Sequence, residues 1–128
     1  MTDSSDPTEP SDWPWPESLD AAEAAPESHE VLLENDRVRV VEVAIPPGER
    51  EPVHTHRWPG VVLVDRAARI RYYDGEGEVA YESPERGDGE VAEASPPETE
   101  WMAPEGPHGV ENVDTVPYHA IRVELKSR

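Results

Sequence analysis

In this 128-residue chain the residues best suited to chemistry are His54 and His56, within the stretch Gly48 to Gly60, GEREPVHTHRWPG. Read as a β-strand, an H-x-H pair puts both imidazoles on one face, because successive strand side chains point to opposite sides. Two ligands of one metal ion need that arrangement. His108, about fifty residues downstream in the turn-like cluster PEGPHGVEN, offers a third imidazole. The chain has no cysteine, so a metal site here is built from imidazole and oxygen alone. The set His54, His56 and His108 suits one divalent transition metal, Fe(II), Zn(II), Ni(II) or Cu(II), among which the affinity order alone does not select. Three protein ligands with an open position are also the pattern of catalytic rather than structural zinc. The alternative is a metal-free, hydrogen-bonded polar cluster in the mouth of a barrel.

Other residues are candidates for the surroundings of that set, and none is assigned a catalytic role. His119 alternates with Ile121, Val123 and Leu125, the expected core face, so it is expected to point inward as a core residue, pocket wall or proton shuttle. Trp58 follows the histidine pair and Trp101 precedes the second cluster; each is a pocket wall or, in a chain without Phe, a core aromatic. Arg69, Arg71 and Arg122 alternate on strands and read as partners of the acidic surface. An inward arginine would instead grip a substrate carboxylate bidentately. Glu51 and Glu111 are the nearest acids, but in regular strand each has the wrong parity for its neighbouring histidine. His29 lies at a strand edge and no role is ascribed to it.

The elements that position these residues are short strands. Val31 to Leu33, Val38 to Ile45, Val61 to Val64, Arg69 to Tyr73, Val79 to Tyr81, Val91 to Ala94, Trp101 to Ala103, Val110 to Val113 and Tyr118 to Leu125 are rich in β-formers and separated by Gly and Pro. Such spacing predicts an all-β sandwich or barrel. In Val38 to Ile45 the apolar residues occupy both parities, which a bulge near Val40 or burial on both faces would reconcile. Residues 1–28 read as a flexible, acidic, Pro-rich arm, with Glu17 to Ala25 able to form about two helical turns, and residues 29–128 as the barrel domain. Trp13 and Trp15 either dock the arm on the barrel or on a second subunit, or lie exposed in a solvated tail. Glu82 to Glu100 reads as a mobile acidic connection.

The net charge of -18 arises from 29 acids against 11 basic residues, of which Lys126 is the one lysine. A phosphate backbone or an anionic membrane surface would be repelled by this field, so neither is expected as a partner. The first thirty residues lack the basic and apolar regions of a secretory signal, and no apolar run approaches the ~20 residues of a membrane span. A cytoplasmic protein is expected.

Two resemblances add to this reading. Gly48-x5-His54-x-His56 resembles the first half of the first cupin motif, and Pro104-x-Gly106-x-His108-x3-Asn112 is similar to the second, with one residue fewer before its histidine. The resemblance runs from about His29 to Lys126, and ENDRVRVVEV and HAIRVELK extend it to a group of short cupins. It implies a double-stranded β-helix, or jelly-roll, barrel. The first motif normally continues with a glutamate separated from its second histidine by three or four residues, where this chain has Gly60 and Val61. The chain thus resembles three-histidine cupins of the cysteine and diketone dioxygenase kind. That implies Fe(II) as the favoured metal and oxidation of a small organic acid or diketone; the alternative is a non-catalytic cupin that binds a small molecule or metal. Pairing into a homodimer through edge strands is also implied.

The composition resembles that of proteins from salt-loving archaea, with many carboxylates and almost no lysine. At low ionic strength those carboxylates repel one another over a longer distance, so the fold is expected to weaken there. Thermal melting should accordingly occur at a higher temperature in concentrated salt than in dilute buffer; equal midpoints would contradict this.

Overall fold

The computed structural model describes residues 13–84 and 98–126, and these form nine β-strands. They are β1 (His29–Glu34), β2 (Val38–Ile45), β3 (His54–His56), β4 (Gly60–Arg66), β5 (Ile70–Asp74), β6 (Val79–Glu82), β7 (Glu98–Met102), β8 (Glu105–Asn112) and β9 (Tyr118–Leu125). All pairings are antiparallel, in a five-stranded sheet of order β1-β2-β9-β4-β7 and a four-stranded sheet of order β3-β8-β5-β6. The expected strand at Val91 to Ala94 and most of the acidic connection lie outside the described residues, as do residues 1–12 of the expected arm. Among the described residues no helix is long and apolar enough to cross a membrane.

The interior is set by β2, whose Val41, Val43 and Ile45 are buried with Val62 of β4 and Ala120 of β9. Each such Val or Ile side chain removed from water contributes about 1.5–3 kcal/mol. Residues directly opposite in a ladder share a face. Arg39, Val41, Val43 and Ile45 stand opposite Glu124, Arg122, Ala120 and Tyr118, so these four form the inner face of β9. The expectation that Ile121, Val123 and Leu125 form the core face, with His119 beside them, is therefore overturned. Apolarity was a misleading guide here because the outer face of this sheet is itself apolar. Leu33, Val40, Val123, Val61 and Trp101 follow one another in register across its strands. Leu33 and Trp101, at its two edges, are 51% and 59% exposed.

Two further expectations are corrected. Strand β2 needs no bulge: it runs without register shift along β9, and the extra residue is Leu32 of β1, between the pairs Val31↔Val41 and Leu33↔Val40. The cluster PEGPHGVEN is not a turn but strand β8, carried through its Gly and Pro by a bulge described below.

Residues 17–28 cover one flank of the barrel. A 3-10 turn at Glu17–Leu19 leads to the single-turn helix α1 (Ala21–Ala24), whose first turn Asp20 caps through Ala22 N. Asp20 also bridges to Thr55, so β3 is buried on both sides, its histidines facing the interior and Thr55 facing this segment. Trp15 lies against Gly106, where a Cβ would come within 2.8 Å of its ring. Asn112, the last residue of the second motif, ties strand ends together. Its Nδ2 donates to the carbonyls of Ile45 and Val116 at 2.8 and 2.9 Å, and its Oδ1 accepts from Asp114 N at 2.8 Å.

Candidate functional site

Four imidazoles meet inside the barrel. His54 and His56 share the inner face of β3, as strand parity dictates, and His108 of β8 stands directly opposite His54. The fourth is His29, the first residue of β1, which faces inward because it stands opposite the buried Val43. Ring centroids lie 5.0 Å apart for His54 and His56, 4.5 Å for His54 and His108, 5.3 Å for His56 and His108, and 4.7 and 5.3 Å from His29 to His54 and His56. All four residues are at most 5% exposed. The side-chain donor atoms of His29, His54 and His56 lie within 4.8 Å of one another, and so do those of His56, Glu105 and His108.

The hydrogen bonds of these rings decide what the cluster can do. A carbonyl oxygen only accepts, so each Nδ1 facing one carries the proton. His54 Nδ1–H donates to Pro52 O at 2.8 Å, His108 Nδ1–H to Gly106 O at 2.7 Å, and His29 Nδ1–H to Ala25 O at 3.2 Å. His56 Nδ1–H donates to the Glu124 carboxylate at 3.2 Å. Each ring is thereby left with a lone pair on Nε2. Burial disfavours the imidazolium form and pushes His29 down to about 3 and His54 down to about 4; His56 and His108 are lowered for the same reason. Neutral rings with a second-layer acceptor on Nδ1 are the form in which histidine binds metal. The residues therefore fit a divalent transition metal.

Carboxylates reach the cluster by routes that strand alternation does not reveal. Between β3 and β8 the pairs His54↔His108 and His56↔Glu105 enclose one residue on β3 but two on β8. That bulge, at Gly106 and Pro107, turns Glu105 to the same side as His108, three positions away, where regular strand would oppose them. Glu105 Oε2 lies 3.9 Å from His108 Nε2 and accepts from the Tyr72 hydroxyl at 2.5 Å, while the Tyr72 ring stacks on His108. Glu51, expected to have the wrong parity, precedes β3 in irregular backbone, where parity has no force, and it faces inward. Its Oε1 is 3.8 Å from His54 Nε2, and Oε2 accepts from Ser28 Oγ at 2.7 Å and lies 3.4 Å from His29 Nδ1. Burial raises the Glu51 carboxyl to about 7. Glu111 points elsewhere, to Arg71 and Tyr73.

Gly60 has no room for the glutamate that the first motif would place there. A Cβ on it would lie 2.1 Å from the Val123 carbonyl oxygen. Glu124, opposite Gly60 on β9, supplies a carboxylate to the outer side of His56 instead. Behind it runs a buried chain: Arg39 Nε donates to Glu124 Oε1 at 2.7 Å, and Arg39 Nη1 and Nη2 grip Asp20 at 2.8 and 2.9 Å. The segment 17–28 thus supports two of the four histidines, His56 through Asp20 and His29 through Ala25 O.

The histidines form one end of a cavity of about 190 Å³ whose remaining walls include Val43, Val62, Val64, Ile70, Met102 and Val110, with Arg122 beside the polar end. Of the six residues expected at the site, His54, His56 and His108 are brought together. Trp58, Trp101 and His119 do not line the cavity. Trp58 lies under Arg39 and Lys126, and Trp101 stands on the exposed outer face. His119 is held on that same face between Asp65 and Glu42, both of which raise its pKa. Of the three arginines expected on strands, Arg69 precedes β5 and donates to Pro84 O, Arg71 pairs with Glu82 and Glu111, and Arg122 turns inward.

The shifts fix a pH dependence. A histidine held below its ordinary 6.5 in the fold binds its proton more readily when unfolded, so stability falls as pH falls through 6.5. Glu51 and Glu124, raised by burial, and His119, raised by Glu42 and Asp65, act in the opposite sense, but they are three groups against four imidazoles. The metal-free protein should therefore melt at a lower temperature at pH 5 than at pH 7; an unchanged or higher midpoint at pH 5 would contradict this.

No family model matches the chain, and no curated protein matches it. Solved structures do. A cupin domain from Bordetella pertussis Tohama I is similar with a TM-score of 0.59 and 21% identity, over 77% of this chain and 92% of that one. An RmlC-like cupin family protein with a double-stranded β-helix fold from Methanocaldococcus jannaschii is similar with a TM-score of 0.50 and 15% identity, over 77% and 79% of the two chains. These are likenesses of fold, and with two antiparallel sheets closing on a histidine-lined interior they identify the chain as having the double-stranded β-helix fold of the cupins.

Proposed function

We propose that this protein binds one divalent transition metal through the Nε2 atoms of His29, His54, His56 and His108, with Fe(II) favoured, and oxidises a small organic substrate there with molecular oxygen. The observation that carries the proposal is the convergence of four neutral imidazoles whose Nδ1 protons are all committed to acceptors on the far side. A transition metal held by these imidazoles would supply the activation that oxygen chemistry needs. In a dioxygenase-type reaction both oxygen atoms enter the substrate, so no further reductant is required. The chain's own contribution is to orient the rings, through Pro52 O, Gly106 O, Ala25 O and Glu124, and to set Val62, Val64, Ile70 and Met102 among the cavity walls. Glu51, with a pKa near neutrality, is placed to hold or release a proton beside His54.

The test is elemental analysis of protein purified in high salt without a metal-affinity tag, beside the His108→Ala variant, followed by oxygen uptake with small organic acids and diketones. Near-stoichiometric iron in the parent, a large loss of it in the variant, and uptake by the iron-loaded protein are expected. Metal without uptake would favour a non-catalytic binding protein, and absence of metal would overturn the proposal.

A homodimer belongs to the same reading. The apolar row from Leu33 to Trp101, on a chain otherwise rich in carboxylates, supports pairing of two copies through the outer face of the five-stranded sheet. Light scattering should give the mass of two chains, and the mass of one chain would contradict it.

A further inference from the structure

Arg122 is the buried charge that the proposed metal site does not use. Its side chain is 9% exposed, on the inner face of β9, and it lines the cavity beside the histidines. Two of its donors, Nε and Nη2, are buried with no hydrogen-bond partner among the described residues. Those two form one side-on edge of the guanidinium, spaced to take both oxygens of a single carboxylate.

The neighbouring acids do not fill that role. Glu124 Oε2 is 3.5 Å from Arg122 Nε, but this carboxylate is held by Arg39 at 2.7 Å and by His56 at 3.2 Å. Glu105 Oε1 is 3.5 Å from Nη1, on the other end of the guanidinium, and Glu105 is engaged by the Tyr72 hydroxyl. A buried donor without a partner is unfavourable, and Arg122 carries two such donors while lining the cavity, where a ligand can supply the missing acceptor.

We infer that Arg122 anchors the carboxylate of a small substrate whose short apolar chain lies against Val62, Val64, Ile70 and Met102. The inference rests on the proposed reading of the cavity as a ligand site, and not on which metal the histidines hold. At about 190 Å³ the cavity falls below the roughly 300–1,000 Å³ of sites that take drug-sized molecules, so the ligand is a small acid.

The test uses the full chain and a matched pair of probes, 3-methylbutanoate and 3-methylbutanamide, which share a shape and differ in charge. Both are titrated calorimetrically into the protein with and without Zn(II), and into Arg122→Met and Arg122→Lys, whose folding is followed by thermal melting. In the parent the acid should bind at least about ten-fold more tightly than the amide in both metal states, as a charge-assisted pair implies. That preference should vanish in Arg122→Met and be reduced several-fold in Arg122→Lys, which keeps the charge but loses the fork. If Arg122→Met does not fold, the reduction in Arg122→Lys is the deciding reading. Equal binding of acid and amide, binding of neither, or an acid preference that survives in the variants would overturn the inference. A preference seen only with Zn(II) would overturn it too, because the metal would then be the anchor. Failure to take up Zn(II) with the acid preference intact would contradict the metal proposal and leave this one supported.

Discussion

Four imidazoles are held out of water within a barrel of modest size, and the placement of their protons constrains the rest of the structure. A buried polar ring left without partners is unfavourable by a few kcal/mol, so each Nδ1–H needs a fixed acceptor. Three acceptors are backbone carbonyls at places where the chain is not in regular sheet pairing: Ala25 after α1, Pro52 before β3, and Gly106 in the bulge of β8. The irregular segments are thus where they are needed. Sheet carbonyls are committed to ladders, and only backbone outside a ladder is free to orient a side chain.

The fourth acceptor is Glu124, and it brings a cost of its own. A carboxylate buried as deeply as this one requires a cation, Arg39 supplies it, and Arg39 in turn is satisfied by Asp20. Removing one partner from such a buried chain destabilises by about 3–5 kcal/mol, because the charge left behind has no water to turn to. The residues before β1 are accordingly part of the site. They close the chain of charges behind His56, fix the tautomer of His29, and cover the outer side of β3. An arm that reads as solvated and Pro-rich becomes, from Glu17 onward, the support of two imidazoles.

How much of this was legible follows from how local each determinant is. The H-x-H pair was legible because strand alternation alone places both rings on one side, and His108 because its cluster repeats a known spacing. Among the described residues β1, β2, β4, β5, β6 and β9 followed from β-branched runs between Gly and Pro, whereas β7 and β8 begin earlier than expected. His29 was not legible: its direction is set by pairing with Val43, on another strand, and the rest of β1 is exposed and says nothing about an interior. Glu105 depends on a single-residue bulge, and Glu51 on irregular backbone, so parity misassigned both or passed them over. The inner face of β9 was misread for a different reason. Its two faces are Tyr118, Ala120, Arg122 and Glu124 on one side and His119, Ile121, Val123 and Leu125 on the other, and the more apolar set is the outward one because the interior carries the chemistry. Where a barrel encloses a polar site and an apolar sheet face lies outside, hydrophobicity points the wrong way and only register decides.

The central claim is that His29 joins the other three histidines as a ligand of one metal. X-ray absorption on the zinc-loaded protein and on its His29→Ala variant counts the imidazoles bound in each. The account predicts four in the parent and three in the variant, with the metal retained more weakly. Three in both would contradict it, leaving His29 as a buried, hydrogen-bonded wall of the cavity.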